Sequence, residues 1–66
     1  MNMALLEKEM KNRKVSNFEI ARQLGINIST WCRKKNRPEK ISIGEAEKIT
    51  KILSLSPEMA REIFLA

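Results

Sequence analysis

The 66-residue sequence predicts an all-α protein, a compact bundle of five short helices. Three observations predict it. Apolar residues recur at three- and four-residue intervals along each segment. A Ser or Asn stands ahead of four of the segments, at Ser16, Asn27, Ser42 and Ser56. No stretch alternates apolar and polar residues as a half-buried strand does, and there is neither an internal repeat nor a low-complexity tract.

The first helix is expected over about Asn2 to Arg13, with Met3, Leu6 and Met10 on one face. Ser16 and Glu19 have the spacing of a capping box, so a second helix should run from Asn17 to Leu24 with Ile20, Ala21 and Leu24 inward. Gly25 should end it, because glycine takes the left-handed conformation without steric cost. Asn27 is a favourable N-cap for a third helix over about Ile28 to Lys35, whose largest apolar group is Trp31. Asn36 to Ile41 is polar, contains Pro38 and reads as a loop. Ser42 and Glu45 form a second capping box opening a helix to about Leu53, with Ala46, Ile49, Ile52 and Leu53 along its inner side. Ser56-Pro57 places an N-cap ahead of a proline at the first helical position, starting a last helix to about Leu65 with Met59, Ile63 and Phe64 on one side.

The connections are short, so residues 1–66 should pack as one domain. A domain of this size buries only about 60% of its unfolded surface. No apolar run reaches the ~20 residues of a membrane span, and the first ten residues lack the layout of a signal peptide. Cys32 is the single cysteine and cannot form an internal disulfide; cytoplasmic residence is the simplest expectation. There is no histidine, no metal-ligand spacing and no Gly-rich phosphate loop, so catalysis, a cofactor and a small-molecule ligand are not expected.

Charge is distributed unevenly. Residues 1–40 hold ten Lys/Arg and four Asp/Glu, whereas residues 41–66 hold three and four. Arg33, Lys34, Lys35, Arg37 and Lys40 fall close together. A basic cluster suits nucleic acid, though a solvated surface has the same composition.

The skeleton Ala21-x-x-x-Gly25-x-x-x-x-x-Trp31 joins these features. Two helices crossing through a tight turn need a small residue at the crossing, a glycine at the turn and a large apolar anchor on the second helix. Ala21, Gly25 and Trp31 supply these. The outer face of the third helix is then available to enter a major groove, and residues 17–36 read as a helix-turn-helix.

At these residues the chain resembles the Cro and phage-repressor type helix-turn-helix family, the xenobiotic-response-element family of bacterial regulators. Ile20-Ala21, Leu24-Gly25-Ile26 and Ser29-Thr30-Trp31 match its pattern, as does a proline-containing loop leading into a capped fourth helix. Leu53-Ser-Leu-Ser-Pro57 resembles its bridge into a fifth helix, and the ending Glu62 to Ala66 resembles small prophage-encoded members. The resemblance implies a lambda-repressor-like fold and double-stranded DNA as partner. Many members have glycine where this chain has Lys14, and Asn-Gly where it has Asn36-Arg37. Asn36 can adopt the left-handed conformation at lower cost than most residues.

The start of the third helix should face base edges, which makes Ile28, Ser29, Cys32 and Arg33 the base-contact candidates. Arg33 can pair with guanine O6 and N7, or can meet only phosphate. Ile28 can lie against a thymine methyl, or pack near Phe18. Cys32 is read as inert rather than as a redox switch. Asn17, Lys34, Lys35, Asn36, Arg37 and Lys40 are the phosphate candidates, Asn17 in part because the resemblance implies a positioning contact there. Met59, Ile63, Phe64 and Leu65 are candidates for a homodimer surface, or else complete the core. The function expected is a sequence-specific, Cro-like repressor, dimeric at least on DNA. The rivals are a helix-turn-helix protein-interaction module, antirepressor- or antitoxin-like, and the DNA-binding portion of a longer repressor. The start at Met1 favours a natural N-terminus over that last reading. Single-stranded binding is disfavoured, since Trp31 should be buried and no other aromatic platform is evident.

Overall fold

The structure, a computed structural model, describes residues 1–65; Ala66, the end of the C-terminal resemblance, lies outside the described residues. Its elements are α1 (Met3–Asn12), α2 (Asn17–Leu24), α3 (Ile28–Asn36), a 3₁₀ turn (Pro38–Lys40), α4 (Ile43–Ile52) and α5 (Pro57–Phe64). No strand occurs among the described residues. Helix α2 packs on α3 and α4, and α1 packs on α5. The Asn2 N–H donates to the Ile63 carbonyl at 2.7 Å, tying the start of the chain to its last helix.

One core holds the molecule together. It contains Leu6, Met10, Ile20, Ala21, Leu24, Trp31, Ile41, Ile49, Leu53, Leu55 and Ile63. Every helix contributes at least one side chain, so none can leave without exposing the others' apolar surface. The inward stripes expected for α1, α2 and α4 are present, with Met3, Ala46 and Ile52 at the edge of the core rather than inside it.

The helix starts follow the serines. Ser16 accepts from the Glu19 N–H, Ser42 from the Glu45 N–H and Ser56 from the Met59 N–H, each at 3.1 Å. Only the α4 box is reciprocal, with the Ser42 N–H donating to Glu45 Oε1 at 2.9 Å. The box expected at Ser16 is half formed. Glu19 instead accepts from Arg22 Nε at 3.2 Å and from Gln23 Nε2 at 2.7 Å, because a guanidinium offers a stronger, charge-assisted bond than a backbone amide. Asn27 has the extended backbone of an N-cap, but its side chain makes no cap bond and accepts from the Ser29 hydroxyl at 3.1 Å.

Three helices end in the same way. After α1, Lys14 N–H donates to Lys11 and Val15 N–H to Met10; after α2, Gly25 donates to Arg22 and Ile26 to Ala21; after α4, Ser54 donates to Lys51 and Leu55 to Thr50. These paired bonds are Schellman motifs, each requiring a left-handed residue. Gly25 (φ 72°) takes that conformation without penalty, while Lys14 (φ 57°) and Ser54 (φ 52°) hold it with a Cβ. Lys14 thus adopts the geometry of the glycine it replaces. The end of α3 differs from expectation: Asn36 is still helical, and Arg37 leaves the helix at φ −132°, ψ 78°. Arg37 precedes Pro38, whose ring disfavours the helical region for its neighbour. The stretch expected to be a loop then forms the short 3₁₀ turn.

Candidate nucleic-acid interface

Helix α3 is held by one side and open on the other. Trp31 is 0% exposed. Its indole N–H donates to Asn17 Oδ1 at 3.0 Å, so the first residue of α2 positions the middle of α3. Ala21 is buried in α2, which packs on α3, and Gly25 makes the turn at the end of α2. The three motif residues thus sit where their sizes demand.

On the outer side, Ile28, Ser29, Cys32, Arg33 and Asn36 are all exposed. They recur at three- and four-residue spacings and so form one surface. Arg33 is only loosely held, with a guanidinium nitrogen 3.4 Å from the Thr30 hydroxyl. Because Asn27 does not cap, the first-turn N–H groups of α3 have no side-chain acceptor, leaving donors at its N-terminus. Ile28 and Phe18 are both exposed, Phe18 by 66%.

The six phosphate candidates divide by their partners. Arg37 and Lys40 are exposed and form no ion pair among the described residues, and Asn36 is exposed beside them. Lys34 is engaged: its ammonium donates to the Lys40 carbonyl at 3.0 Å and to Glu45 at 3.2 Å, closing the segment between α3 and α4. Lys35 is engaged too, donating to Asn17 Oδ1 at 3.0 Å and pairing with Glu7 of α1. Asn17 Oδ1 therefore accepts from two donors, Trp31 and Lys35, while its amide nitrogen donates to no described residue. Lys34 and Lys35, expected as phosphate candidates, also tie helices together, Lys34 joining α3 to α4 and Lys35 joining α3 to α1 and α2.

The carboxylates respond accordingly. Burial raises the Glu45 carboxyl, but the Ser42 N–H and the Lys34 ammonium outweigh it and hold the group below its ordinary range. Glu7 is lowered by its bond to Lys35, with help from the charges of Lys35 and Lys11. Glu19 is lowered by Arg22 and Gln23. Neither Glu7 nor Glu45 was marked by the sequence as a partner of the basic cluster. Glu45 was visible as a capping residue, and Glu7 carried no local signal at all.

The four C-terminal candidates also separate. Ile63 is wholly buried and belongs to the core, Met59 and Phe64 are half-buried, and Leu65 is 78% exposed. Leu65 and Phe64 border an apolar groove of about 330 Å³ between α4 and α5, with Ile41, Ile43, Ala46 and Pro57. Ile43, on the α4 side, is 82% exposed. No three His, Cys, Asp or Glu side chains converge as a metal site among the described residues, and no helix there is long and apolar enough to cross a membrane.

No curated protein and no solved structure matches this chain. A helix anchored by Trp31, following the turn at Gly25 and presenting Ser29 and Arg33 on an exposed face is the geometry of a DNA-reading helix-turn-helix. Residues 5–58 match the family model of the Cro/C1-type HTH DNA-binding domain, and the chain belongs to that family.

Proposed function

We propose that this protein is a sequence-specific regulator of transcription that binds double-stranded DNA and represses by occupying an operator, as small prophage repressors do. The observation that carries the reading is the exposed face of α3, where Ser29 and Arg33 stand with Arg37 and Lys40, unpaired among the described residues, just beyond them. Arg33 reads a base, with its fork on a guanine edge. Ser29 bonds to base or phosphate, Ile28 lies against a thymine methyl, and Cys32 is a small neighbour of both. Arg37, Lys40 and Asn36 hold phosphates downstream of the reading helix. The Asn17 amide nitrogen and the first N–H groups of α2 hold one upstream.

One reading helix per subunit gives limited affinity, and two copies on half-sites about one DNA turn (~34 Å) apart supply the rest. The α4–α5 groove favours such a homodimer, since three exposed large apolar side chains, Met1, Ile43 and Leu65, border it beside half-buried Phe64. Selection of bound duplexes from a random pool, at two salt concentrations, tests the reading. A two-fold-related motif is the expected result, and no enriched motif overturns sequence-specific binding. Sedimentation with and without the selected duplex tests the dimer. Leu65→Ser should reduce two-subunit binding while leaving stability within about 0.5 kcal/mol, as for other exposed sites.

A further inference from the structure

A groove of about 680 Å³ runs between α1 and the start of α2, and three lysines, Lys8, Lys11 and Lys35, line it with a single carboxylate, Glu7. Glu7 and Lys35 also border the adjoining hollow that contains Cys32 and Asn36 of the reading face. The pair therefore lies at the boundary between the α1 groove and the proposed DNA surface. Its two members are not equally accessible: the Lys35 side chain is 15% exposed and the Glu7 side chain 55%. The carboxylate is the outer member and screens the ammonium. Lys35 is also kept in place from beneath by Asn17 Oδ1.

We propose that Glu7 is an internal counter-ion, standing where a DNA phosphate would otherwise reach Lys35, and that it thereby sets the affinity and salt dependence of DNA binding. The inference rests on the DNA-binding reading above. A phosphate approaching this edge meets a pair of zero net charge instead of a cation. Fewer counter-ions then leave the DNA, and the contact adds little to affinity or to its salt dependence. Removing the Glu7 charge leaves Lys35 buried at its stem, pre-positioned by Asn17 and charged at its tip. The groove then presents three cations and no anion.

The test compares the full chain, Glu7→Gln, Glu7→Gln/Lys35→Gln and Glu58→Gln on one selected duplex across a salt series, with a melting curve for each. Glu58→Gln adds the same unit of charge on α5, at a residue that lines neither hollow containing the pair. Glu7→Gln is expected to bind about two- to fivefold more tightly at low salt, the scale of one exposed charge interaction. Its plot of log affinity against log salt should be steeper by about 0.9, one further phosphate neutralised. Adding Lys35→Gln should abolish both gains. The inference is overturned if Glu7→Gln matches Glu58→Gln, or if its gain survives the loss of Lys35. If the unmodified chain shows no salt-dependent duplex binding, the DNA-binding reading itself falls, an outcome separable from the other two.

Discussion

Asn17 and Trp31 show how one side chain joins packing to recognition. The indole fills the core, and its N–H would be costly to bury without an acceptor. Asn17 supplies that acceptor, and its amide nitrogen donates to no described residue, which leaves it for the proposed phosphate contact. Trp31→Ala should cost about 3–5 kcal/mol and abolish a cooperative melting transition in so small a domain; a normal transition would contradict the packing. Arg33 and Arg37 should respond differently from one another. Arg33→Ala should relax the preference at one base position by about 1–3 kcal/mol, measured on the selected site and its single-base variants. Arg37→Ala should weaken all duplexes equally and reduce the salt slope by about 0.9. Trp31 was legible in the sequence because it is the largest apolar group in a mostly polar helix. Lys34 and Lys35 were not, because their partners, Glu45 and Glu7, lie on other helices and are brought close only by the fold.

The helices were legible because their starts are chemical. A serine three residues ahead of its N–H partner declares itself in the chain, and α2, α4 and α5 begin where that spacing puts them. Their ends were less so. Gly25 announces a left-handed stop, but Lys14 and Ser54 make the same stop without the residue that favours it. Tertiary packing holds them there, since Val15 and Leu55 must turn back onto the core. Lys14→Gly and Ser54→Gly should each stabilise the protein by about 1 kcal/mol in denaturant unfolding, the strain of one left-handed side chain being removed. A loss of stability in either would contradict the strained-stop assignment. The tie between α3 and α4 carries a pH signature. The Glu45 carboxyl is held below its ordinary value of 4.5, so the unfolded chain binds a proton first on acidification. The stability this group contributes is present above that value and is lost as pH falls through the lower folded value. Glu45→Gln should therefore flatten part of the acid limb of a stability–pH curve, and an unchanged limb would contradict the tie.

Across the whole molecule, charge is unevenly distributed, while exposed large apolar groups occur in both regions, Phe18 and Ile28 in the first and Ile43 and Leu65 in the second. Residues 1–40, which include α1 to α3 and the 3₁₀ turn, carry the basic excess; the exposed apolar groove lies between α4 and α5. The proposed function assigns a polyanion to the first region and a second subunit to the groove. The charge asymmetry was visible in the sequence, but the groove was not. Ile43 lies outside the inward stripe of α4, and only the α4–α5 arrangement shows that it borders Phe64 and Leu65. Ile63, by contrast, goes to the core and is withdrawn from the dimer surface. The most direct test of the central claim is to follow backbone amide NMR shifts while titrating the chain with its selected duplex. Changes centred on Ile28 to Arg33, with flanking changes at Asn17–Phe18 and Arg37–Lys40, are the predicted result. A response confined to the α4–α5 groove, with α3 unmoved, would contradict it.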